Sequence, residues 1–93
     1  MTAKEDIQKK LDQDLSTDQK QERFLIVHND DYHTFDYVIA SLIEICDHDL
    51  IQAEQCTFLI HYKGKCDVKK GSFTYLSPMR KALSKKDLKA TID

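Results

Sequence analysis

The chain has 93 residues, which is enough for one domain and too few for two. Hydrophobic residues make up 41% of it, so a small core can form but an enclosed catalytic cavity would be hard to build. Charged residues make up 32%, yet the net charge is only −2, which argues against the clustered basic face that nucleic-acid binding requires. No apolar run approaches the roughly 20 residues of a membrane span.

The cysteine content and the start of the chain indicate a reducing compartment. The number of cysteines is odd, with Cys46, Cys56 and Cys66. The first residues are polar and charged, without the pattern of a signal peptide. We therefore expect a cytoplasmic protein with free thiols.

The first 21 residues differ in composition from the rest. They contain no aromatic residue, and their larger aliphatic side chains, Ile7, Leu11 and Leu15, form only one thin stripe at a spacing of four. Such a stripe cannot offset the entropy lost on ordering the segment. The sequence therefore predicts a flexible tail over residues 1–21 and a folded domain over residues 22–93.

The domain starts with a strand and a helix. The run from Phe24 to Val27 is apolar at every position and precedes a polar loop, which predicts a central strand or one covered on both faces. Thr34 is a suitable N-cap for the helix that follows. The apolar face of that helix comprises Phe35, Val38, Ile39, Leu42, Ile45 and Cys46.

A second helix is predicted to begin after Asp49, which forms a capping box with Gln52, and to end at Gly64. Its expected buried face comprises Leu50, Ala53, Cys56, Thr57 and Ile60.

The last third of the chain alternates between strand and helix patterns. A short strand is predicted over residues 65–69, a helix over about 72–85 and an edge strand over 88–92. Pro78 must either start that helix, with Ser77 as its cap, or kink it; a helix with a disturbed first half is preferred. The order predicts an α+β domain with a small three-stranded antiparallel sheet packed on three helices.

Few patterns in the sequence suggest catalysis. The candidate metal ligands lack the paired spacing of known sites, so no metal or cofactor is expected; they are Cys46, His48, Cys56, His61 and Cys66. Cys56 and His61 lie five apart on a helix and point in different directions, which disfavours a nucleophile pair. With only two glycines there is no phosphate-binding loop. An enzyme is therefore not expected.

The loop after the first strand stands out more. Asn29 and Asp30 place acceptor oxygens just before an apolar helix face. They could be simple Asx turns that end the strand. Acceptors beside an apolar wall also suit a ligand with a cationic head and an apolar body.

The same residues resemble the signature of the ClpS-type adaptors. Asn29-Asp30-Asp31-Tyr32 follows a strand, and His61-Tyr62-Lys63-Gly64-Lys65 follows two helices later, as in that family. The likeness runs from about Phe24 to Gly71 and more loosely to Ile92. It implies a non-catalytic adaptor that binds the N-terminal residue of substrate proteins and delivers them to a Clp-family AAA+ ATPase–protease.

The resemblance also implies roles for individual residues. Asn29, Asp30 and His61 would surround the substrate's α-ammonium group, with His61 as a neutral acceptor, so binding should weaken on acidification. The pocket for the first side chain would be lined by Asp31, Phe35, Val38, Thr57, Ile60 and Leu88. The tail would engage the ATPase, and the opposite face of the domain would dock on the ATPase's N-terminal domain.

The chain departs from the better-known members at several positions. His33 and Thr34 replace Thr-Pro, and Phe35 and Thr57 replace two pocket methionines. We therefore expect a different, broader choice of first residues. Two alternatives stay open: an interaction domain of the same fold that docks on an ATPase or ribosomal partner without reading N-termini, and a small metal or thiol enzyme.

Overall fold

The computed structural model describes residues 21–93, and the predicted tail lies almost wholly outside this range. The elements follow the predicted order and form an α+β domain. They are β1 (Arg23–His28), α1 (Phe35–Cys46), α2 (Leu50–Lys63), β2 (Lys65–Gly71), α3 (Phe73–Lys85) and β3 (Ala90–Ile92).

The three strands form one antiparallel sheet in the order β2-β1-β3, which confirms that β1 is central and β3 an edge strand. Leu25 pairs with Lys69 and Ile26 with Asp67, so Val68 is an extra residue that forms a bulge in β2. At the far end His28 pairs with Lys65. This register places the end of β1 beside the point where α2 passes into β2.

Capping residues mark the points where the first two helices begin and where α2 ends. Thr34 and Asp49 cap α1 and α2, each accepting a hydrogen bond from the backbone N–H three residues later, as predicted. Gly64 ends α2 in the left-handed region, at φ 92°, where a glycine has no steric cost.

The start of α3 differs from both expectations, a cap at Ser77 and the preferred helix with a disturbed first half, because the helix is continuous from Phe73 to Lys85. Ser72 is the N-cap and accepts from the N–H of Tyr75, so α3 begins at Phe73 and contains Pro78. Proline removes only one intrahelical hydrogen bond. The cap at Ser72 and the complete burial of Leu76 favour the helix on the N-terminal side of Pro78.

Other boundaries are corrected by smaller amounts. β2 continues to Gly71, and β3 begins at Ala90, which leaves Leu88 in the preceding turn. Leu50 was expected on the buried face of α2 but is 56% exposed, because it is the first residue of the helix. Of the two alternatives for β1, a central strand or one covered on both faces, the structure shows the first, since Phe24 is 37% exposed.

One hydrophobic core holds the domain together. β1 contributes Leu25 and Val27 to it, whereas Phe24 and Ile26 point to the other face of the sheet. The remaining core side chains come from all three helices, β2, β3 and the turn before β3. They are Val38, Leu42, Cys46, Ala53, Ile60, Cys66, Val68, Leu76, Leu83, Leu88 and Ala90.

Candidate functional site

The loop that follows β1 is attached to the end of α2. The N–H of Asn29 donates a hydrogen bond of 2.8 Å to the carbonyl of Gly64. The N–H of Gly64 in turn donates to the carbonyl of Ile60. The start of the loop and the last turn of α2 are therefore held together, and Asn29 itself is exposed.

Asp30 organises the rest of the loop. Its Oδ1 accepts the backbone N–H groups of Tyr32 and His33, both at 2.8 Å, and its Oδ2 lies 3.0 Å from Nδ1 of His33. Desolvation would raise the pKa of Asp30, but these hydrogen bonds outweigh it and hold the pKa below its ordinary value. Asp30 therefore stays ionised throughout the neutral range.

His61 has a defined orientation in the last turn of α2. Its Nδ1 lies 3.3 Å from the carbonyl oxygen of Thr57. A carbonyl can only accept, so Nδ1 carries the proton, and Nε2 of the neutral ring is an acceptor. The ring also packs on Phe35, with the two centroids 4.4 Å apart. The first residue of α1 and the last turn of α2 are therefore in contact.

Three segments thus converge at one end of the domain: the end of β1 with Asn29, the start of α1 with Phe35, and the end of α2 with His61. Asp30 lies in the same loop, and its side chain is 29% exposed. These segments carry an amide at Asn29, a carboxylate at Asp30 and an imidazole at His61, all capable of accepting hydrogen bonds. Such a group of acceptors suits a cationic donor.

The residues predicted to line a side-chain pocket fall into two sets. Asp31 is exposed and Phe35 is 39% exposed. Val38, Thr57, Ile60 and Leu88 are between 0 and 4% exposed. Phe35 and Val38 are three apart on α1, and Thr57 and His61 are four apart on α2, so each pair projects from one helix face. Val38, Thr57 and Ile60 are thus buried side chains of the two helices that meet at the Phe35–His61 contact.

Thr57 is one of these buried side chains. Its hydroxyl donates a 2.7 Å hydrogen bond to the carbonyl of Ala53. With the hydroxyl used in this way, the methyl group is the part left for packing.

Sequence reasoning missed one aromatic contact and one hydrogen bond next to the site. His33 stacks on Tyr37 with centroids 4.7 Å apart and planes 16° apart. The hydroxyl of Tyr37 donates to the carbonyl of Lys86, 2.8 Å away in the turn after α3. Only one feature of the sequence indicated that His33 is held in place, its spacing of three from Asp30. That spacing is too common to predict that the two side chains interact.

The candidate metal ligands do not gather. Within residues 21–93 no group of three or more His, Cys, Asp and Glu side chains is placed to hold a metal ion. His48 is 4% exposed, and its Nε2 donates to the carbonyl of Val68 at 2.6 Å.

The three thiols are free, and their surroundings disfavour the thiolate. Burial raises the pKa of Cys46 to about 11 and that of Cys66 to about 12, and it also raises the pKa of Cys56. Since the thiolate is the reactive form, these groups are poor nucleophiles.

This environment predicts slow thiol modification. Near pH 8 Cys46 and Cys66 in the folded chain should react with a disulfide reagent at least about a hundredfold more slowly than in denaturant, because their raised pKa values leave almost no thiolate. A stopped-flow measurement of absorbance with and without guanidinium checks this. If either thiol reacted as fast in the folded chain as in the denatured chain, the prediction would be contradicted. The result would then favour the alternative of a thiol enzyme.

None of the helices in residues 21–93 is long and apolar enough to cross a membrane.

Comparisons with known proteins agree with the fold. Residues 18–91 match the family described as ATP-dependent Clp protease adaptor protein ClpS. The human E3 ubiquitin-protein ligase UBR1 is 34% identical over 67 residues, which is 71% of this chain and 4% of the ligase. The chain thus spans a small fraction of that relative's length.

A solved structure, that of Agrobacterium tumefaciens ClpS2 bound to L-phenylalaninamide, is similar with a TM-score of 0.72. The similarity covers 78% of this chain and 95% of that one at 16% identity, so it concerns the fold. The chain belongs to the ClpS family of Clp protease adaptors.

Proposed function

We propose that this adaptor binds the free N-terminal residue of substrate proteins and delivers those proteins to a Clp-family AAA+ ATPase for degradation. The observation that carries the proposal is the orientation of His61. Its Nδ1–H is used within α2, which leaves Nε2 as an acceptor in the last turn of that helix. The backbone of Asn29 is bonded to Gly64 at the same helix end, and the buried side chains of Thr57 and Ile60 lie in the same part of α2. A ligand with a positive charge and an apolar side chain suits both the acceptors and the apolar residues.

An α-ammonium group has three N–H donors and requires acceptors that converge on it. The amide oxygen of Asn29, Nε2 of His61 and the carboxylate of Asp30, directly or through water, supply them. Each hydrogen bond to a charged group contributes about 1.5–3 kcal/mol. Two or three of them give selective capture that is still reversible.

The first side chain would occupy the apolar group formed by Val38, Thr57, Ile60 and Leu88. These side chains are almost fully buried while Phe35 lies against His61. Admission of a side chain therefore requires Phe35 to turn away from the imidazole. The gain is about 25 cal/mol per Å² of apolar surface removed from water.

Two further observations support binding of an N-terminal residue. The family is one of Clp protease adaptors. The ClpS2 of similar fold was solved with L-phenylalaninamide, a small molecule with a free α-amine and an aromatic side chain. For delivery, we propose that the face opposite the site docks on the N-terminal domain of the ATPase and that residues 1–21 engage the ATPase. Asp31 would lie at the rim of the side-chain pocket.

The proposal is tested by calorimetry with a short peptide that begins with leucine, once with a free N terminus and once acetylated. We expect the free peptide to bind and acetylation to weaken binding at least about a hundredfold, since it removes the charge and two donors. Equal binding of both peptides, or binding of neither, would instead favour an interaction domain that does not read N-termini.

The choice of first residue should depend on Thr57. A small residue at position 57 of the proposed pocket leaves space for β-branched side chains. Peptides that begin with valine or isoleucine should therefore bind within about tenfold of the leucine peptide. Thr57→Met should reduce the affinity for the branched peptides several times more than for leucine.

Because Thr57 is fully buried, Thr57→Met will also cost stability, and a thermal melt is needed as a control. The leucine peptide serves as the matched ligand. Strict preference of the unaltered chain for leucine and aromatic first residues would contradict this prediction.

A further inference from the structure

His33 holds the Asp30 carboxylate at both oxygens. Its backbone N–H donates to Oδ1 at 2.8 Å, and its Nδ1 lies 3.0 Å from Oδ2. A carboxylate oxygen can only accept from a neutral ring, so Nδ1 carries the proton. One residue thus fixes the position and the rotation of the carboxylate.

The imidazole of His33 is itself held in place. One face stacks on the ring of Tyr37, and Tyr32 meets it edge-on with centroids 5.5 Å apart. Tyr37 is fastened through its hydroxyl to the carbonyl of Lys86. The His33 side chain is only 13% exposed. Its ring is therefore a rigid support and not a freely moving surface group.

The hydrogen bonds of Asp30 leave little of its capacity unused. Oδ1 already accepts two backbone N–H groups, and Oδ2 accepts one ring N–H. Each oxygen has two acceptor sites, so within the described contacts one site remains, on Oδ2. The direction of this remaining site is set by the position of the His33 ring.

We infer that His33 is a positioning residue for ligand binding: it orients Asp30 so that the remaining acceptor site of Oδ2 serves the α-ammonium group or a water bound to it. The inference rests on the proposed function. It assigns to the histidine a role that its sequence position alone does not indicate. His33 acts through Asp30 and does not itself touch the ligand.

Two substitutions separate positioning from mere support of the fold. His33→Ala removes the ring donor, whereas His33→Asn places an amide N–H close to the position of Nδ1. We expect His33→Ala to weaken binding of the free leucine peptide about five- to tenfold, less than the loss of a whole charged contact, because backbone N–H groups still hold Oδ1 and Asp30 is misdirected but not removed. We expect His33→Asn to stay within about threefold of the unaltered chain.

Unchanged affinity in His33→Ala, or equal loss in both variants, would overturn the inference. Thermal melts of both variants identify any loss that comes from unfolding. If the unaltered chain does not distinguish free from acetylated peptide, the proposed function fails, and the binding role of His33 fails with it.

A second readout tests the pair without any ligand. Two-dimensional ¹H–¹⁵N spectra of the histidine rings should show His33 protonated at Nδ1, and Asp30→Ala should shift it towards the Nε2–H form that free imidazoles prefer. His33 protonated at Nε2 in the unaltered chain would refute the positioning geometry, whatever the peptides show.

Discussion

Replacing His61 with alanine is expected to lower the affinity for a free leucine peptide by about tenfold to a hundredfold, the value of one hydrogen bond to a charged group. The effect should come from the loss of Nε2 as an acceptor. His61→Ala should also remove the ring that packs on Phe35, which calorimetry would show as a change in binding enthalpy. The acetylated peptide should be affected little, because it has no ammonium group.

A neighbouring aromatic residue provides the matched control. Tyr62 follows His61 on α2, is 74% exposed and packs edge-on against Phe58, away from the Phe35 contact. Tyr62→Ala should bind the leucine peptide within about twofold of the unaltered chain, as expected of a surface substitution. Equal losses in both variants would point to a general disturbance of α2 and would contradict the assigned role.

Acidification gives the same test without mutation. A doubly protonated His61 ring has donors at both nitrogens and no acceptor, so affinity should be lower near pH 5.5 than near pH 7.5. Asp30 stays ionised over this pH range, because the hydrogen bonds that it accepts lower its pKa. His61→Ala should flatten most of the profile. Tighter binding near pH 5.5 than near pH 7.5 would refute this role.

Replacing His48 with alanine is expected to lower the free energy of unfolding by about 3 kcal/mol without changing the ligand site. His48 lies in the connection from α1 to α2 and is buried. Its Nε2–H donates to the carbonyl of Val68 in the β2 bulge. Alanine would leave a cavity and a carbonyl without that donor. Chemical denaturation with circular dichroism measures the change.

The conservative substitution His48→Gln controls for the hydrogen bond. A glutamine amide can donate to the same carbonyl, so part of the lost stability should return. Peptide affinity of the folded fraction should stay within about twofold in both variants, because His48 lies outside the site. A stable His48→Ala variant, or a loss of bound metal on substitution, would show that His48 is not a structural residue.

The helices and strands were predictable because their apolar periodicities are local. Leu42 and Cys46 are buried as the helical spacing indicated, and Cys66 and Val68 as the alternating spacing indicated. Pro78 misled because the cap at Ser72 and the burial of Leu76 and Leu83 together favour the helix against the local cost of proline. Tertiary packing of this kind is not visible in a window of sequence.

The site was predictable only in its residue types. The sequence pointed to Asn29, Asp30 and His61, and the contacts of Asn29 with Gly64 and of His61 with Phe35 show that their segments meet. The position of the His33 ring could not be predicted, since it depends on Tyr37 and on a turn far along the chain. Contacts between distant residues have no periodic signature.

The central proposal is that the α-amino group of a substrate is held by Asn29 and His61 with its side chain behind Phe35. A crystal structure of the chain with a leucine-initiated peptide tests it most directly. We expect the peptide nitrogen at hydrogen-bonding distance, about 3 Å, from the Asn29 amide oxygen and from Nε2 of His61, with Phe35 turned away. A peptide bound elsewhere, such as on the sheet face around Phe24 and Ile26, or one with its amine in solvent, would contradict the account.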